Sequence, residues 1–240
     1  MQKTNQKRLL KDVIDIIKNP LEDNGIYYKH DENDMLCGYA LIMGPEETLY
    51  NYGYYLFKFT FPTDYPFSPP KLTYLTNNGH TRFHPNLYRT GKVCLSILNT
   101  WRGEQWTSCQ TIRSVLLTLV TLFHNKPLLN EPGLTEKYKD FHKYNEIIQY
   151  ENYNTSIISF LNKKISSELY DLFEEDIKKN YKKNKINIKN KLIEKLDTKK
   201  KNVSINIYNK MSSNINYELL YKKFEDLNKL NKLNKLNKLN

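Results

Sequence analysis

Four prolines fall within ten residues in FPTDYPFSPP (61–70). Proline lacks an amide hydrogen and fixes one backbone torsion, so neither a helix nor an interior strand runs through this stretch. Its repeated aromatic residues predict a stiff loop packed against a core. The loop separates two runs that do read as strands. Residues 54–61, YYLFKFTF, alternate and are rich in aromatics, and residues 71–76, KLTYLT, form a shorter run. Upstream, residues 36–43, LCGYALIM, read as another strand, closed by Gly44-Pro45. Helical periodicity flanks the set. In KRLLKDVIDIIK (7–18), Leu10, Val13, Ile14 and Ile17 recur at i, i+3, i+4 and i+7, and Pro20 ends the helix. In TIRSVLLTLVTLF (111–123), Ile112, Val115, Leu116, Leu119, Val120 and Phe123 make a broad apolar face that stops before Pro127. Strands grouped between helices predict an α+β fold with an antiparallel meander of three or four strands, not an alternating βαβ chain.

Beyond Gly133 the texture changes. Residues 144–162 and 168–181 read as helices, residues 182–214 as a Lys/Asn-rich, partly disordered stretch, and residues 215–227 as one more amphipathic helix. Residues 228–240 repeat Leu-Asn-Lys, and a period of three drifts off any face of a helix of period 3.6, so they read as a low-complexity tail. The organisation expected is a core over 1–133, a helical extension over 134–227 and that tail.

The charge follows the same division. Residues 1–133 carry 14 Lys/Arg against 12 Asp/Glu, and residues 134–240 carry 23 against 14, so +9 of the formal net charge of +11 lies in the extension. Its basic residues are nearly all lysines dispersed among Asn, Ile and Tyr, a mixture that an AT-rich genome produces without selection for binding, so nucleic-acid binding is not expected. The three cysteines, Cys37, Cys94 and Cys109, are too few for a disulfide scaffold, and no CxxC or Cys/His cluster suggests a metal. With no apolar signal region at the start and no run of 18 apolar residues, the expectation is a cytoplasmic or nuclear protein without a membrane span, metal or cofactor.

The chemistry concentrates in HPNLYRTGKVCLSIL (84–98), where Asn86 stands eight residues before Cys94 with a turn around Thr90-Gly91 between them. A free cysteine is commonly a small buried hydrophobe. Here an Asn amide across a rigid bend gives the thiol a second reading, because an Asn N–H can stabilise an oxyanion formed when a thiolate attacks a carbonyl, or can hold the loop that does so. No pairing of Cys94 with a histidine base can be read from spacing, and the local signatures of cysteine peptidases are absent. That leaves an acyl group that arrives already activated as a thioester, since exchange between thiols of similar pKa needs little driving force.

GPEETLYNYG (44–53), FPTDYPFSPP (61–70), HPN (84–86), GKVCLSIL (91–98) and the segment from Trp106 into the next helix resemble, in this order and spacing, the ubiquitin-conjugating enzyme family, over about residues 7–133. Four extra residues between Cys94 and Trp106, NEPG (130–133), and YNEIIQYE and INYELLYKKF further on are similar to the large-type members with an extended C-terminus. The resemblance implies the ubiquitin-conjugating fold: an N-terminal helix, a four-stranded antiparallel meander, a central helix and C-terminal helices. It implies a transferase that takes ubiquitin or a ubiquitin-like modifier from an activating enzyme and passes it, with a ligase, to substrate lysines.

By the same resemblance Cys94 is the thioester-forming nucleophile, and Asn86 is the oxyanion or loop-ordering asparagine, with His84 and Pro85 shaping the turn. Glu131, preceding Pro132 as the family's acid precedes its proline, faces the incoming lysine, with Asn130 as its rival. Ser96 stands where many members carry Asp. Phe67 and the loop at Trp106 imply a ligase-docking surface, although WTSCQ (106–110) departs from the usual Ser-Pro-Ala. Lys7, Arg8 and Lys11 imply the surface that meets the activating enzyme. Cys37 is expected in the core, and Cys109 is given no catalytic role. Two other functions compete: an idle scaffold of the same fold that binds ubiquitin or a partner, and a basic RNA-binding protein.

Overall fold

The structure is a computed structural model that describes the backbone of residues 3–236 and the side chains of residues 4–229. It opens with helix α1 (Lys3–Lys18) and continues into β1 (Ile26–His30), β2 (Cys37–Met43), β3 (Tyr54–Thr60) and β4 (Lys71–Tyr74). The four strands form one antiparallel meander in chain order, with Leu41 opposite Leu56 and Phe59 opposite Leu72. Three of these strands are those expected from patterning. The fourth, β1, is only five residues long and ends in Lys29-His30, too polar and too short to declare itself. Helix α2 (Ile112–Val120) follows, its first turn closed by a reciprocal cap between Thr111 and Ser114.

α1 is amphipathic, but with a rotated face. Leu9, Val13 and Ile16 are buried, together with Asn5 and Asp12, whereas Leu10, Ile14 and Ile17 are exposed. The apolar positions cover a broad arc of the helix, and the buried face lies at one edge of it together with Asn5 and Asp12, so periodicity alone chose the wrong three. The inward polar pair explains the choice: Asp12 accepts hydrogen bonds from Tyr65 Oη at 2.5 Å and Arg8 Nε at 3.0 Å.

Strand β3 is covered on both sides. Tyr55, Phe57 and Phe59 point into the main core, where Tyr55 stacks on Phe123 at 4.4 Å between ring centroids. The intervening Tyr54 and Leu56 point the other way, into a second cluster with Tyr27, Leu41, Met43, Phe160, Tyr170, Phe173 and Ile177. Period-2 alternation puts these two sets on opposite faces of the sheet. The C-terminal extension supplies the second cover: Phe160 stacks on Tyr54 at 5.1 Å with the rings 11° from parallel.

The extension is more ordered than patterning implies. Helix α3 (Phe141–Glu151) passes directly into a wider π-helical segment, Asn152–Ser159. Phe141, Tyr144, Ile147 and Ile148 enter the same core as Phe83 and Phe123, so packing is continuous across residue 133. Asn152 holds that segment to the sheet, accepting from Tyr55 Oη at 2.7 Å and donating to the Asn51 carbonyl at 2.9 Å. Helices α4 (Ser167–Leu172) and α5 (Glu174–Ile193) come next. Residues 182–214, expected to be partly disordered, instead contain the rest of α5 and a hairpin of β5 (Lys201–Ile205) and β6 (Met211–Ile215). Val203, Ile205, Met211, Ser213 and Ile215 are buried at alternate positions. The turn between the strands has no glycine, and Tyr208, Asn209 and Lys210 all take positive φ, so no ordinary turn signal marked it. The buried carboxylate of Glu151 ties the parts together, accepting from Ser213, Thr155, Asn154 and Asn78.

Helix α6 (Tyr217–Leu236) runs through most of the Leu-Asn-Lys repeat, which contains neither glycine nor proline to stop it. Its buried Leu220, Phe224 and Leu227 seat its first part, and Asn228 accepts from Tyr181 Oη at 2.7 Å. Residues 237–240 of the expected tail lie outside the described residues.

Candidate active site

Cys94 lies on a narrow irregular hairpin beside β4. The chain bends after His84-Pro85, and the Leu87 amide returns to the His84 carbonyl at 2.9 Å. Gly91 makes the turn with φ +85°, which a side chain would strain. Its carbonyl accepts from the Tyr74 amide at 2.7 Å, docking the hairpin on the sheet. The return arm then pairs with the outgoing one, and the Cys94 amide donates to the Asn86 carbonyl at 2.9 Å.

Asn86 closes this pairing from its side chain as well. Its Nδ2 donates to the Cys94 carbonyl at 2.6 Å, so the two residues are joined by two hydrogen bonds. The Asn86 amide donates to His84 Nδ1 at 3.0 Å. His84 is fully buried, and burial, with His124 and Arg82 close by, pushes its pKa well below the usual imidazole value. With its Nδ1 taken by the Asn86 amide, His84 holds the turn. These bonds hold the two arms of the hairpin together at Asn86 and Cys94.

Cys94 itself is only 2% exposed. Thr100 folds over its neighbours: Thr100 Oγ1 accepts from the Leu95 amide at 2.9 Å and reaches the Val93 carbonyl at 3.3 Å. The segment that follows carries the four extra residues. Gly103, at φ +122°, lies so close to Ser96 that an added Cβ would meet the Ser96 Cβ at 3.0 Å. The loop is thus folded back onto the residue two places after the cysteine. Across from it, Thr100, Trp101 and Arg102 share a cleft of about 420 Å³ with Pro132. Pro132, next in the chain to Glu131, thus shares this cleft with the loop that follows the cysteine.

Glu131 follows a short helical turn, Pro127–Asn130, and is half-buried. Its Oε2 accepts a 2.7 Å hydrogen bond from Tyr208 Oη in the turn between β5 and β6. Asn130 is engaged elsewhere: the Lys126 amide donates to His124 Nδ1, which leaves His124 Nε2 as the donor to Asn130 Oδ1 at 3.1 Å. Tyr208 and Thr100 were not found from sequence. Tyr208 lies 77 residues from Glu131 and carries no local signal.

The expected docking residues separate into free and engaged. Phe67 is 71% exposed on the proline loop. Trp106, expected at a partner surface, is instead buried: its Nε1 donates to the Pro66 carbonyl at 2.7 Å, and the exposed residues there are Thr107, Ser108 and Cys109. An indole so placed braces the proline loop against the core. Arg8 is likewise no free cation, because its guanidinium donates to the carbonyls of Ser108 at 2.6 Å and Gln110 at 2.7 Å. Lys7 and Lys11 are exposed beside it. Cys37 is buried on β2, Cys109 is exposed, and all three thiols are free.

Residues 8–158 match the sequence model of the family described as Ubiquitin-conjugating enzyme. Among curated proteins, the chain is 41% identical over 162 residues to ubiquitin-conjugating enzyme E2 Z of Danio rerio, covering 66% of this chain and 49% of that protein. It is 40% identical over 157 residues to ubiquitin-conjugating enzyme E2 Z of Homo sapiens, covering 64% and 44%. It is 32% identical over 173 residues to the ubiquitin-conjugating enzyme E2 of African swine fever virus, covering 70% and 74%. The aligned region spans about half the length of the first of these relatives. No helix among the described residues is long and apolar enough to cross a membrane.

Proposed function

The chain belongs to the ubiquitin-conjugating enzyme family, and from that premise we propose that Cys94 carries ubiquitin or a ubiquitin-like modifier as a thioester. In the first step the Cys94 thiolate attacks the modifier's thioester on an activating enzyme. A bond forms from Cys94 Sγ to the modifier's C-terminal carbonyl carbon, and the bond to the activating enzyme's sulfur breaks. One thioester replaces another, so the step is close to thermoneutral.

In the second step the Nζ of a substrate lysine attacks the same carbonyl. The C–N bond forms, the C–S bond breaks and the Cys94 thiolate leaves. A free lysine ammonium has a pKa of about 10.4 and must lose its protons to react. Glu131 is the acceptor we assign, from the loop across the cleft. Asn86 holds the Cys94 carbonyl with one Nδ2 hydrogen, and its second hydrogen is the candidate donor to the oxyanion. Exposed Lys7 and Lys11 are the assigned contacts for the activating enzyme, and Phe67 with the Thr107–Cys109 segment those for a ligase. Three free thiols fit a reducing cytoplasm or nucleus.

The observation that carries this reading is the double hydrogen bond between Asn86 and Cys94, in the part of the chain that matches the family. The 2% exposure of Cys94 favours a second reading, a scaffold that binds modifier without being charged. One experiment separates them. The protein is mixed with ATP, each activating enzyme and each modifier, and run on a non-reducing gel. A thiol-sensitive adduct supports the carrier. Its absence across the panel supports the scaffold.

A further inference from the structure

We infer that Tyr208 is a positioning residue for transfer to lysine: its hydroxyl holds one oxygen of Glu131, which makes the C-terminal β5–β6 hairpin part of the active site. The inference rests on the reading of Glu131 as the group that receives the lysine proton.

The hairpin turn is docked on the active-site bend through several independent contacts. The Arg82 guanidinium lies over the Tyr88 ring at 3.5 Å and the Tyr208 ring at 4.4 Å, so it is held between them. Its Nη2 donates to the carbonyl of Pro85, the residue before Asn86. The Arg82 amide meets Met211 Sδ at 3.2 Å, and Arg89 Nη2 reaches the Lys210 carbonyl at 3.4 Å. Tyr144 Oη donates to the Arg82 carbonyl at 2.8 Å, and the Tyr144 and Tyr208 rings meet at 6.1 Å. Tyr208 therefore touches both halves of the site, with its ring against the arginine that braces His84-Pro85-Asn86 and its hydroxyl on the acid.

The backbone is strained to achieve this. Tyr208, Asn209 and Lys210 take φ of 59°, 55° and 61°, three successive non-glycine residues in the left-handed region. Such conformations persist where the surrounding contacts over-determine them. Burial, and the neighbouring Tyr144 and Glu131, push the Tyr208 pKa far up, so its hydroxyl stays a donor wherever the protein is folded. Glu131 sits in extended backbone just before the exposed Pro132-Gly133, where an untethered carboxylate would sample many rotamers. The bond from Tyr208 engages Oε2 and leaves Oε1 to receive the proton. A charge-assisted bond of this kind fixes direction as well as position.

The test uses the full-length chain charged with the modifier that forms the adduct above, then chased with free lysine in single turnover. Tyr208→Phe keeps the ring on Arg82 and removes only the hydroxyl. Discharge should slow roughly tenfold at saturating lysine, with the half-saturating lysine concentration and the melting temperature changing little. Glu131→Gln should be slow as well, and the double variant no slower than Glu131→Gln alone, because the hydroxyl acts only through the carboxylate. If Tyr208→Phe discharges at the parent rate while Glu131→Gln is slow, the inference is wrong and the reading of Glu131 stands. If the two losses multiply, Tyr208 acts by another route and the inference is equally wrong. A Glu131→Gln protein at the parent rate, or a chain that is never charged, removes the functional reading and this inference with it.

Discussion

Asn86 and Cys94 are joined twice: the Cys94 amide donates to the Asn86 carbonyl at 2.9 Å, and the Asn86 side chain donates to the Cys94 carbonyl at 2.6 Å. Asn86→Ala leaves the Cys94 carbonyl without its side-chain donor in a buried site, at a cost of about 1–3 kcal/mol. For a chain of this size each kcal/mol lowers the melting temperature by about 2–4 °C. Discharge to lysine should fall further than charging, by up to the 10²–10³ typical of a lost oxyanion donor. Calorimetry with single-turnover charging and discharge checks both. Equal losses in the two steps would confine Asn86 to ordering the loop.

Cys94 is the one thiol held in this arrangement. Cys94→Ser should replace a thiol-sensitive adduct by a base-labile oxyester or by none, and Cys94→Ala should give no adduct. A Cys94→Ala protein that still acquires a dithiothreitol-sensitive band would shift attention to the exposed Cys109.

His84 is buried with its pKa pushed well down by burial and by the neighbouring His124 and Arg82. The folded state keeps it neutral, whereas the unfolded chain protonates it below about pH 6.5. Below that pH the unfolded state binds the extra proton, so the stability present above about 6.5 is lost as pH falls, by up to about 1.4 kcal/mol per unit. His30, half-buried and also lowered chiefly by burial, adds in the same direction. Urea unfolding between pH 7.5 and 5 should show this decline, and His84→Gln should flatten it more than His30→Gln. An unchanged slope in His84→Gln rules out the assignment.

Phe160 is fully buried and stacked on Tyr54. Phe160→Ala should destabilise the protein by about 3–5 kcal/mol, read by denaturant unfolding. Cutting the chain after Gly133 strips the whole cover from Leu41, Tyr54 and Leu56 and should yield an aggregating fragment. A 1–133 fragment as stable as the full chain would show that the cover is energetically idle.

How much was legible in the sequence follows from how local each signal is. Alternation in YYLFKFTF gave β3, whereas the burial of its second face depends on Phe160, Tyr170 and Ile177 more than a hundred residues on. The motif spacing singled out Asn86 and Cys94, and the structure joins these two residues by two hydrogen bonds. α1 was placed correctly but turned, because its buried face takes in Asn5 and Asp12 at one edge of the apolar arc, and the Asp12–Tyr65–Arg8 contacts that draw that edge inward are not local in sequence. Trp106 and Arg8 looked like surface residues because their partners, the carbonyls of Pro66, Ser108 and Gln110, are main-chain atoms that no composition reveals. The hairpin escaped notice since its turn relies on three non-glycine residues at positive φ, and Tyr208 gains meaning only through Glu131.

The two-sided burial of β3 also sets an order of events during synthesis. Tyr54 and Leu56 leave the ribosome about a hundred residues before Phe160, Tyr170 and Ile177, the side chains that cover them. At 5–20 residues per second the outer face of the meander waits roughly 5–20 s for its lid. Throughout that interval the nascent chain presents an aromatic sheet surface to its surroundings. A chaperone that binds such surfaces should be released from this polypeptide when α4 and α5 emerge, and not when the strands of the meander are complete.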